Sequence, residues 1–401
     1  MAMVENLQRD SSKKTVLFVH QSAELYGSDK MLLQLLGGLD RQRITPLVVL
    51  PEHGPLYDAL KKDGVEIFIA PVAKIQRAAF SLRGFLPFLV EIIRSVRMIS
   101  KSLAGKHIDW VHSNTLAVFG GALWAKLGRV PHLWHVHEII VHPTLARRFF
   151  PVLLRYFANK IVANSQATAD TLFEVMPRLV GRTEVIHNGQ APAPPPDLSR
   201  VAALRGRFGL GDDGFLVTLV GRINRWKGQE LFIEAAEIVL QGEKRNIVFL
   251  MVGGPPPGQE HFVEDVRKRI HDSPVRDNIK LMAFTDDIWN VWHATDIAVV
   301  PSTEPEPFGM VAVEAMAAGK PVVAANHGGL SEIVIPERTG LFFEPGDVEG
   351  LAKAITTLVN SPDKVVKMGE LGRMRVENRF NIERYCHSFE KNYLNSESIL
   401  F

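Results

Sequence analysis

Two carboxylates, Glu306 and Glu314, lie in the run PSTEPEPFGMVAVEAMAAGKP at 301–321. The pattern predicts a strand ending at Pro301 and a helix opening near Gly309. The first amides of a helix lack internal partners and carry partial positive charge, so they suit an anion such as a diphosphate. Gly309 lets the backbone come close to it. Carboxylates repel an anion unless they grip neutral hydroxyls, so Glu306 and Glu314 point to a hydroxyl-rich ligand, a ribose and a hexose. The plainer alternative makes Glu306 an electrostatic helix cap and Glu314 a solvated side chain. The PFG and AMAAG segments around them favour the ligand.

A second set is VGRINRWKG at 220–228, again just past a predicted strand. Arg222 offers a forked donor for phosphate oxygens and Lys227, at a helix start, a point charge. Arg225 reads as an ordinary solvated cation. A third set is WHVHE at 134–138. Strand alternation puts His135 and His137 on one face and Trp134, Val136 and Glu138 on the other. That split argues against a zinc site from His135, His137, His142 and Glu138. His135 is left as a satisfied core histidine.

Something must hold these segments at strand ends, and the hydrophobic pattern supplies it. Strands are predicted at 15–20, 44–50, 65–70, 108–113, 132–137 and 160–164. Helices fall between and after them at 28–39, 55–63, 84–103, 116–127, 144–157 and 166–176. The scheme repeats with strands at 216–221, 247–253, 279–283, 297–301 and 322–325, and helices at 229–240, 259–271, 288–294 and 309–318. Such alternation makes βαβ units and parallel sheets. Three helices close the chain, at 348–360, 362–377 and 382–394.

The segment QAPAPPPD at 190–197 can continue neither a helix nor a central strand. It sets the expected plan: an N-terminal domain at 1–190, a proline-rich hinge at 190–200, a C-terminal domain at 200–380, and a final helix at 381–401 returning to the first domain. In open α/β sheets ligands bind beyond the carboxyl ends of strands. All three chemical sets lie there.

With 401 residues, 46% hydrophobic and 22% charged, the chain is too long for one core and too apolar for disorder. Its single cysteine, Cys386, excludes an internal disulfide and a zinc site built on paired cysteines, and fits a reducing, cytoplasmic setting. The most apolar later stretch, 84–93, is broken by Pro87 and Glu91, so a soluble protein without a secretory signal is expected. Residues 1–190 hold 23 Lys and Arg against 15 Asp and Glu, whereas the remainder holds 23 against 29. The first half alone therefore calls for an anionic partner.

The Glu306-to-Glu314 spacing, GR-x4-KG at 221–228 and HGG-x-x-EIV at 327–334 together resemble the GT-B glycosyltransferases of family GT4, throughout the second half and more loosely in the first. The resemblance implies an α/β GT-B fold, two Rossmann-like domains whose parallel sheets face each other across an interdomain cleft. It implies retaining transfer of a hexose-type sugar from a UDP- or GDP-sugar, with no metal and no cofactor. Consistently, the chain has no Asp-x-Asp triplet, Asp286 and Asp287 being adjacent. On the family's pattern His137, beside Glu138, touches the reacting sugar and Glu306 holds its hydroxyls; these two are the catalytic candidates. Arg222 and Lys227 would neutralise the diphosphate, and the amides of Phe308, Gly309 and Met310 would cradle the distal phosphate or sugar. Glu314 would take the ribose, with Ala283 and Phe284 near the nucleobase. Gly27, in YGS at 26–28, resembles the family's glycine-rich loop, with Ser28 in place of a second glycine. Ser28 is either a ligand contact or a plain helix N-cap. Asn114, Ser165 and Asn188 stand at further family positions, where turn chemistry is the alternative.

The resemblance also implies a glycan or lipid-linked acceptor, in cell-envelope or exopolysaccharide synthesis. Residues 74–107 carry Lys74, Arg77, Arg83, Arg94, Arg97, Lys101 and Lys106 against one acid, Glu91, with Phe80, Phe85, Leu86, Leu89 and Ile93 interleaved. Such a helix suits an anionic membrane surface, which predicts a peripheral position on the inner face of a membrane. A core-facing apolar stripe with a solvated basic face is the alternative. No nucleic-acid recognition motif accompanies these cations, so nucleic acid is not an expected partner. Two other functions stay open: a sugar-nucleotide epimerase of the same fold, and a non-catalytic nucleotide-sugar-binding subunit.

Overall fold

Seven short strands pair in parallel: β1 (Lys14–His20), β2 (Ile44–Leu50), β3 (Glu66–Ile69), β4 (Trp110–Asn114), β5 (His132–Val136), β6 (Lys160–Ala163) and β7 (Thr183–Val185). Their order is β3-β2-β1-β4-β5-β6-β7. Six more form a second parallel sheet: β8 (Phe215–Val220), β9 (Ile247–Val252), β10 (Ile279–Met282), β11 (Ile297–Val300), β12 (Val322–Ala325) and β13 (Gly340–Phe343). Here the order is β10-β9-β8-β11-β12-β13. The computed structural model describes residues 13–75, 82–211, 213–256 and 258–395. Arg77 and Phe80 of the basic segment lie outside the described residues. The chain divides into two units, Met1–Gly189 with Ile382–Phe401, and Gln190–Asn381.

β9, β11 and β12 read as continuous apolar runs because helices cover both faces of the sheet. β4, β5 and β9 are buried along their whole length. In the first unit Leu17, Val19, Leu47 and Val49 pack with Ile99 and Leu103. Trp134, Val136 and Ile161 pack with Phe150 and Leu154 of the helix Thr144–Phe157. In the second unit Val217, Leu219 and Phe249 pack with Phe232 and Ile355, while Ala298, Val300 and Val322 pack with Phe308, Ala312 and Met316. Each Val, Leu, Ile, Phe or Met among them contributes roughly 1.5–3 kcal/mol on burial. The loops at the strand ends therefore start from fixed points.

Each sheet reverses its winding once, between β1 and β4 and between β8 and β11. Such a switch point opens a crevice at the carboxyl ends of the strands. In the first sheet His20, the last residue of β1, stands in register with Asn114, the last of β4. In the second, the loops beginning at Gly221 and Pro301 leave the switch point.

The closing helix, Ile382–Leu394, buries Tyr385, Cys386, Phe389 and Tyr393 in the first unit. The Tyr393 hydroxyl lies 2.7 Å from His112 Nδ1. The Cys386 thiol donates to the carbonyls of Gln34 and Leu35 at 3.8 Å. Burial and the nearby Glu390 push that thiol up to about 12, so it packs rather than reacts.

Several elements escape the sequence pattern, the short helices Leu330–Ile333, Pro177–Arg182 and Arg276–Asn278 among them. β7 and β13 are edge strands of three and four residues, too short to show a period. The helix Leu198–Arg207 occupies the last residues of the expected hinge. Its N-cap, Asp197, accepts from the amides of Ser199 and Arg200, but none of its residues is fully buried. Val201 and Leu204 give it only a short, half-buried apolar stripe against the cluster of Leu216 and Leu250, too short to stand out beside the proline-rich segment.

Candidate active site

The second unit's switch point is built from two loops joined to each other. Three strand ends are first tied together: Gly221 N–H donates to the Val252 carbonyl at 3.0 Å, Ile223 N–H to Gly254 at 2.9 Å, and Gly253 N–H to Met282 at 3.0 Å. Asn224 Oδ1 then accepts the amides of Trp226 and Lys227 at 3.2 and 3.1 Å, turning the chain back. Gly228 follows at φ +76°, and a β-carbon there would overlap the Pro301 carbonyl. Only glycine allows this approach. Lys227 is thereby aimed at Glu306, with Nζ 2.5 Å from Oε1 and side chains 15% and 6% exposed.

Ser302 Oγ donates to the same carboxylate oxygen at 2.5 Å. Gly329 N–H donates to the Glu306 carbonyl at 2.8 Å, and His327 Nε2 donates to the Ser302 carbonyl at 2.8 Å. Burial lowers the His327 pKa against the opposing pull of the Ser302 carbonyl and Glu306. The helix Met310–Ala317 opens after Gly309, at φ +112°. The Phe308 ring is buried 5.8 Å from Phe380. What residues 308–310 offer is thus a row of backbone amides at a helix start. Glu314, half-buried on this helix, accepts from Trp292 Nε1 at 3.4 Å.

The first unit's switch point is built differently. His137 follows β5, and its ring lies 3.8 Å from that of His135, on the same side as alternation requires. Its Nε2 is 2.9 Å from Asn114 Oδ1. Asn114 Nδ2 lies 3.0 Å from His20 Nδ1, and His20 Nε2 lies 2.5 Å from Asp29 Oδ1. Burial pushes the Asp29 carboxyl up, but His20, the Ser22 hydroxyl and the Tyr26 amide together hold it below the usual range. Burial and the neighbouring His20 push His137 down to about 3, so its ring is neutral at ordinary pH. Glu138 accepts from the amides of His137 at 3.0 Å and Leu116 at 3.1 Å. Burial nevertheless pushes it up to about 7.

Residues 202–375 match the family model of Glycosyl transferases group 1, and residues 26–192 that of Glycosyltransferase Family 4. The chain belongs to the group 1 glycosyltransferases of family 4. The D-inositol 3-phosphate glycosyltransferase of Rhodococcus jostii (strain RHA1) is 30% identical over 229 residues, 55% of this chain and 49% of that protein. The enzyme of the same name from Mycobacteroides abscessus is 33% identical over 209 residues, 50% of this chain and 44% of that protein. The chain spans about half the length of these curated relatives. The crystal structure of Anabaena Alr3699/HepE in complex with UDP and glucose is 27% identical and superposes with a TM-score of 0.80, covering 95% of this chain and 99% of that one. The fold is GT-B.

In this family member the second unit gathers Lys227, Glu306, Phe308, Gly309, Met310 and Glu314 on or beside two facing loops. Arg222 is exposed on the first of them, its carbonyl accepting from Gln229 Nε2 at 2.8 Å. Arg225 pairs at 2.7 Å with Glu304 and is 77% exposed, the solvated cation expected. Ala283 lines a 450 Å³ cavity with Ile223, Gly253, Gly254, Pro255 and Arg267. Phe284 is exposed and does not line it.

Two expectations for the first unit are corrected. Ser28 is not the helix N-cap, because the helix Gly27–Gly38 already begins at Gly27. The reaching-back bond comes from Asp29, whose Oδ2 accepts the Tyr26 amide at 3.0 Å. His135 is a core histidine but not a satisfied one: it is fully buried, and neither ring nitrogen has a partner among the described residues. Gly27 is exposed with open space around it. Ser165 caps the helix Gln166–Val175 by accepting from the Thr168 amide at 2.9 Å. Asn188 is buried with its Oδ1 unpartnered among the described residues. Among the described residues no group of three His, Cys, Asp or Glu is arranged to hold a metal ion. Sequence reading passed over His20, Asp29 and Ser302. The only signal for His20 and Ser302 is position, each being polar at or just beyond the end of a buried strand, and Asp29 is an acid in the first turn of the helix Gly27–Gly38.

Proposed function

We propose that this glycosyltransferase binds a UDP-sugar on its second unit and transfers the hexose, with retention, to a hydroxyl of an anionic glycan or lipid-linked acceptor held on its first. The observation that carries the donor assignment is the Lys227–Glu306 pair locked beside the start of the helix Met310–Ala317. A cation, a carboxylate and the amides of a helix start side by side suit a diphosphate joined to a sugar. UDP is favoured over GDP because the Anabaena protein, similar over its whole length, was crystallised with UDP and glucose.

Lys227 has three donors and can reach a phosphate while keeping Glu306. Both donors to Glu306 use Oε1, which frees Oε2 for a sugar hydroxyl. Glu314 takes the ribose, and the cavity beside Ala283 takes the uracil. Arg222, Lys227 and the amides of 308–310 supply the positive charge that a metal would otherwise bring. A histidine of pKa about 3 is too weak a base to deprotonate an acceptor hydroxyl. The departing diphosphate serves instead. The bond from the anomeric carbon to phosphate breaks, the acceptor oxygen bonds to that carbon on the same face, and its proton passes to the phosphate oxygen.

The acceptor assignment rests on the cation excess of residues 1–190 and on the helix Leu82–Ser102. Phe85, Leu86, Val90 and Ile93 on that helix are more than half exposed, and Arg94, Arg97 and Lys101 follow on the same helix, also exposed. Such a face suits an anionic lipid surface, placing the enzyme peripherally on a membrane. No helix among the described residues is long and apolar enough to cross one. The relatives named for D-inositol 3-phosphate likewise point to an acceptor carrying negative charge.

The test is UDP release from UDP-glucose and other UDP-hexoses, with and without vesicle-borne polyprenyl-diphosphate sugars and inositol phosphates. Release only with an acceptor, giving an axial or equatorial product bond matching the donor's, is the expected result. Isomerisation of the sugar without an acceptor would move the reading to an epimerase. Donor binding with no turnover on any acceptor would move it to a binding subunit.

A further inference from the structure

The first unit's switch point holds a hydrogen-bonded chain whose polarity can be read from one atom. Asn114 Nδ2 lies 3.4 Å from the Ser28 carbonyl, and a carbonyl only accepts. The amide nitrogen of Asn114 is therefore fixed on that side, and its oxygen on the side of His137. An oxygen 2.9 Å from His137 Nε2 requires that nitrogen to carry the proton. On the other side, the amide nitrogen 3.0 Å from His20 Nδ1 requires that atom to be bare. His20 then carries its proton on Nε2, where Asp29 Oδ1 accepts it at 2.5 Å. Ser22 Oγ and the Tyr26 amide hold the Asp29 carboxylate in turn, at 2.5 and 3.0 Å. Every donor in the chain meets an acceptor, and His20, Asp29 and Asn114 are buried.

We infer that Asp29, His20 and Asn114 are positioning residues that fix His137 as its Nε2–H tautomer and leave Nδ1 as the acceptor it presents. The inference rests on the proposed role of His137 beside the reacting sugar. Reversing the polarity would turn the Asn114 amide, break its bond to the Ser28 carbonyl, and force the proton of His137 onto Nδ1. A ring so turned would present a donor where the native one presents an acceptor. The tautomer is thus set about three side chains away, by a carboxylate that touches no substrate.

The test is imidazole nitrogen NMR on the full chain labelled at histidine, with His137 assigned by difference from His137→Gln. Native protein without substrate should show a protonated Nε2 and an unprotonated Nδ1. Asn114→Leu should populate both tautomers and lower kcat by about 10²-fold, the scale of a misplaced reacting group, with donor KM little changed. Asn114→Asp still accepts from Nε2–H but no longer donates to His20 Nδ1 or the Ser28 carbonyl, so it should keep the native His137 tautomer and recover part of kcat relative to the Leu variant. A native spectrum with the proton on Nδ1, or an Asn114→Leu spectrum unchanged from native, would overturn the relay. The native spectrum decides even if a variant fails to fold. It needs no turnover, so its outcome is separate from that of the transferase reading.

Discussion

The two units offer the same crossing of strands to a ligand and fill it with opposite electrostatics. At the second unit's crossing stands a buried ion pair, Lys227 with Glu306, bonded directly across 79 residues of sequence. At the first stands a relay, in which one carboxylate, Asp29, acts through His20 and Asn114 on a neutral ring. The fold supplies the crevice in both cases; the residues at the strand ends decide what it can do. On the proposed function, a charge pair would hold a charged leaving group, whereas a neutral relay would hold a ring beside a carbon where positive charge develops. The contrast predicts that the two ends fail differently when cut.

The largest effect should come from Glu306→Ala, which leaves Lys227 poorly hydrated and unpaired. A loss of about 3–5 kcal/mol is expected by chemical denaturation, along with loss of turnover. A combined Lys227→Met and Glu306→Leu variant should recover the stability but not the turnover. A Glu306→Ala protein as stable as its parent would remove the buried pair from this account.

Next in size is the acid response of the neutral side. His132, whose ring bonds to the Phe157 carbonyl and Ser113, is pushed down to about 4 by burial. Above pH 6.5 both folded and unfolded chains hold this ring neutral. As pH falls from 6.5 toward 4 only the unfolded chain takes up the proton, so stability falls, by about 3 kcal/mol once pH is below both values. Glu138, pushed up to about 7, acts with opposite sign: the folded chain keeps its proton while the unfolded one ionises, so stability falls as pH rises from 4.5 to 7. Melting temperatures across pH 4.5–7.5 should show a flatter acid limb for His132→Gln and a flatter upper limb for Glu138→Gln. Parallel curves for all three proteins would contradict both assignments.

A smaller change is expected from Lys227→Ala measured as UDP affinity by calorimetry, a loss on the order of 1.5–3 kcal/mol for a charge-assisted bond. Unaltered affinity would take Lys227 out of the diphosphate site. Smallest of all should be Arg225→Ala, three residues after Arg222 on the same loop. Its exposed pair with Glu304 should contribute roughly 0–1 kcal/mol to stability, and UDP binding should not move.

The second unit's site was the more legible in sequence because its parts are contiguous. One loop carries Arg222 and Lys227, another carries Glu306 through Glu314, and the residues that matter announce themselves by type. Several strands were legible for a related reason: burial on both faces makes them unbroken apolar runs, as in Ile247–Val252 and Val322–Ala325. Edge strands as short as Thr183–Val185 have no such signature. The relay was not legible, because His20, Asp29, Asn114 and His137 come from four separate segments and become neighbours only through register. Nor did the sequence reveal that Lys227 and Glu306 bond to each other, since that contact depends on Gly228 lying against Pro301. Ser28 drew notice as a capping residue type, but Asp29, one residue on, makes the bond because the helix starts earlier than the pattern suggests.

The most direct test of the donor assignment is a thermal-shift comparison of UDP, GDP and ADP, each with its common sugar conjugates, on the wild-type chain and on Glu314→Ala. A ligand that binds only the folded state raises the melting temperature by mass action. The account predicts a rise with UDP and a UDP-sugar, larger than with the other nucleotides and lost in Glu314→Ala. No rise with any nucleotide, or a UDP shift that Glu314→Ala leaves intact, would contradict a donor seated at the second unit's switch point.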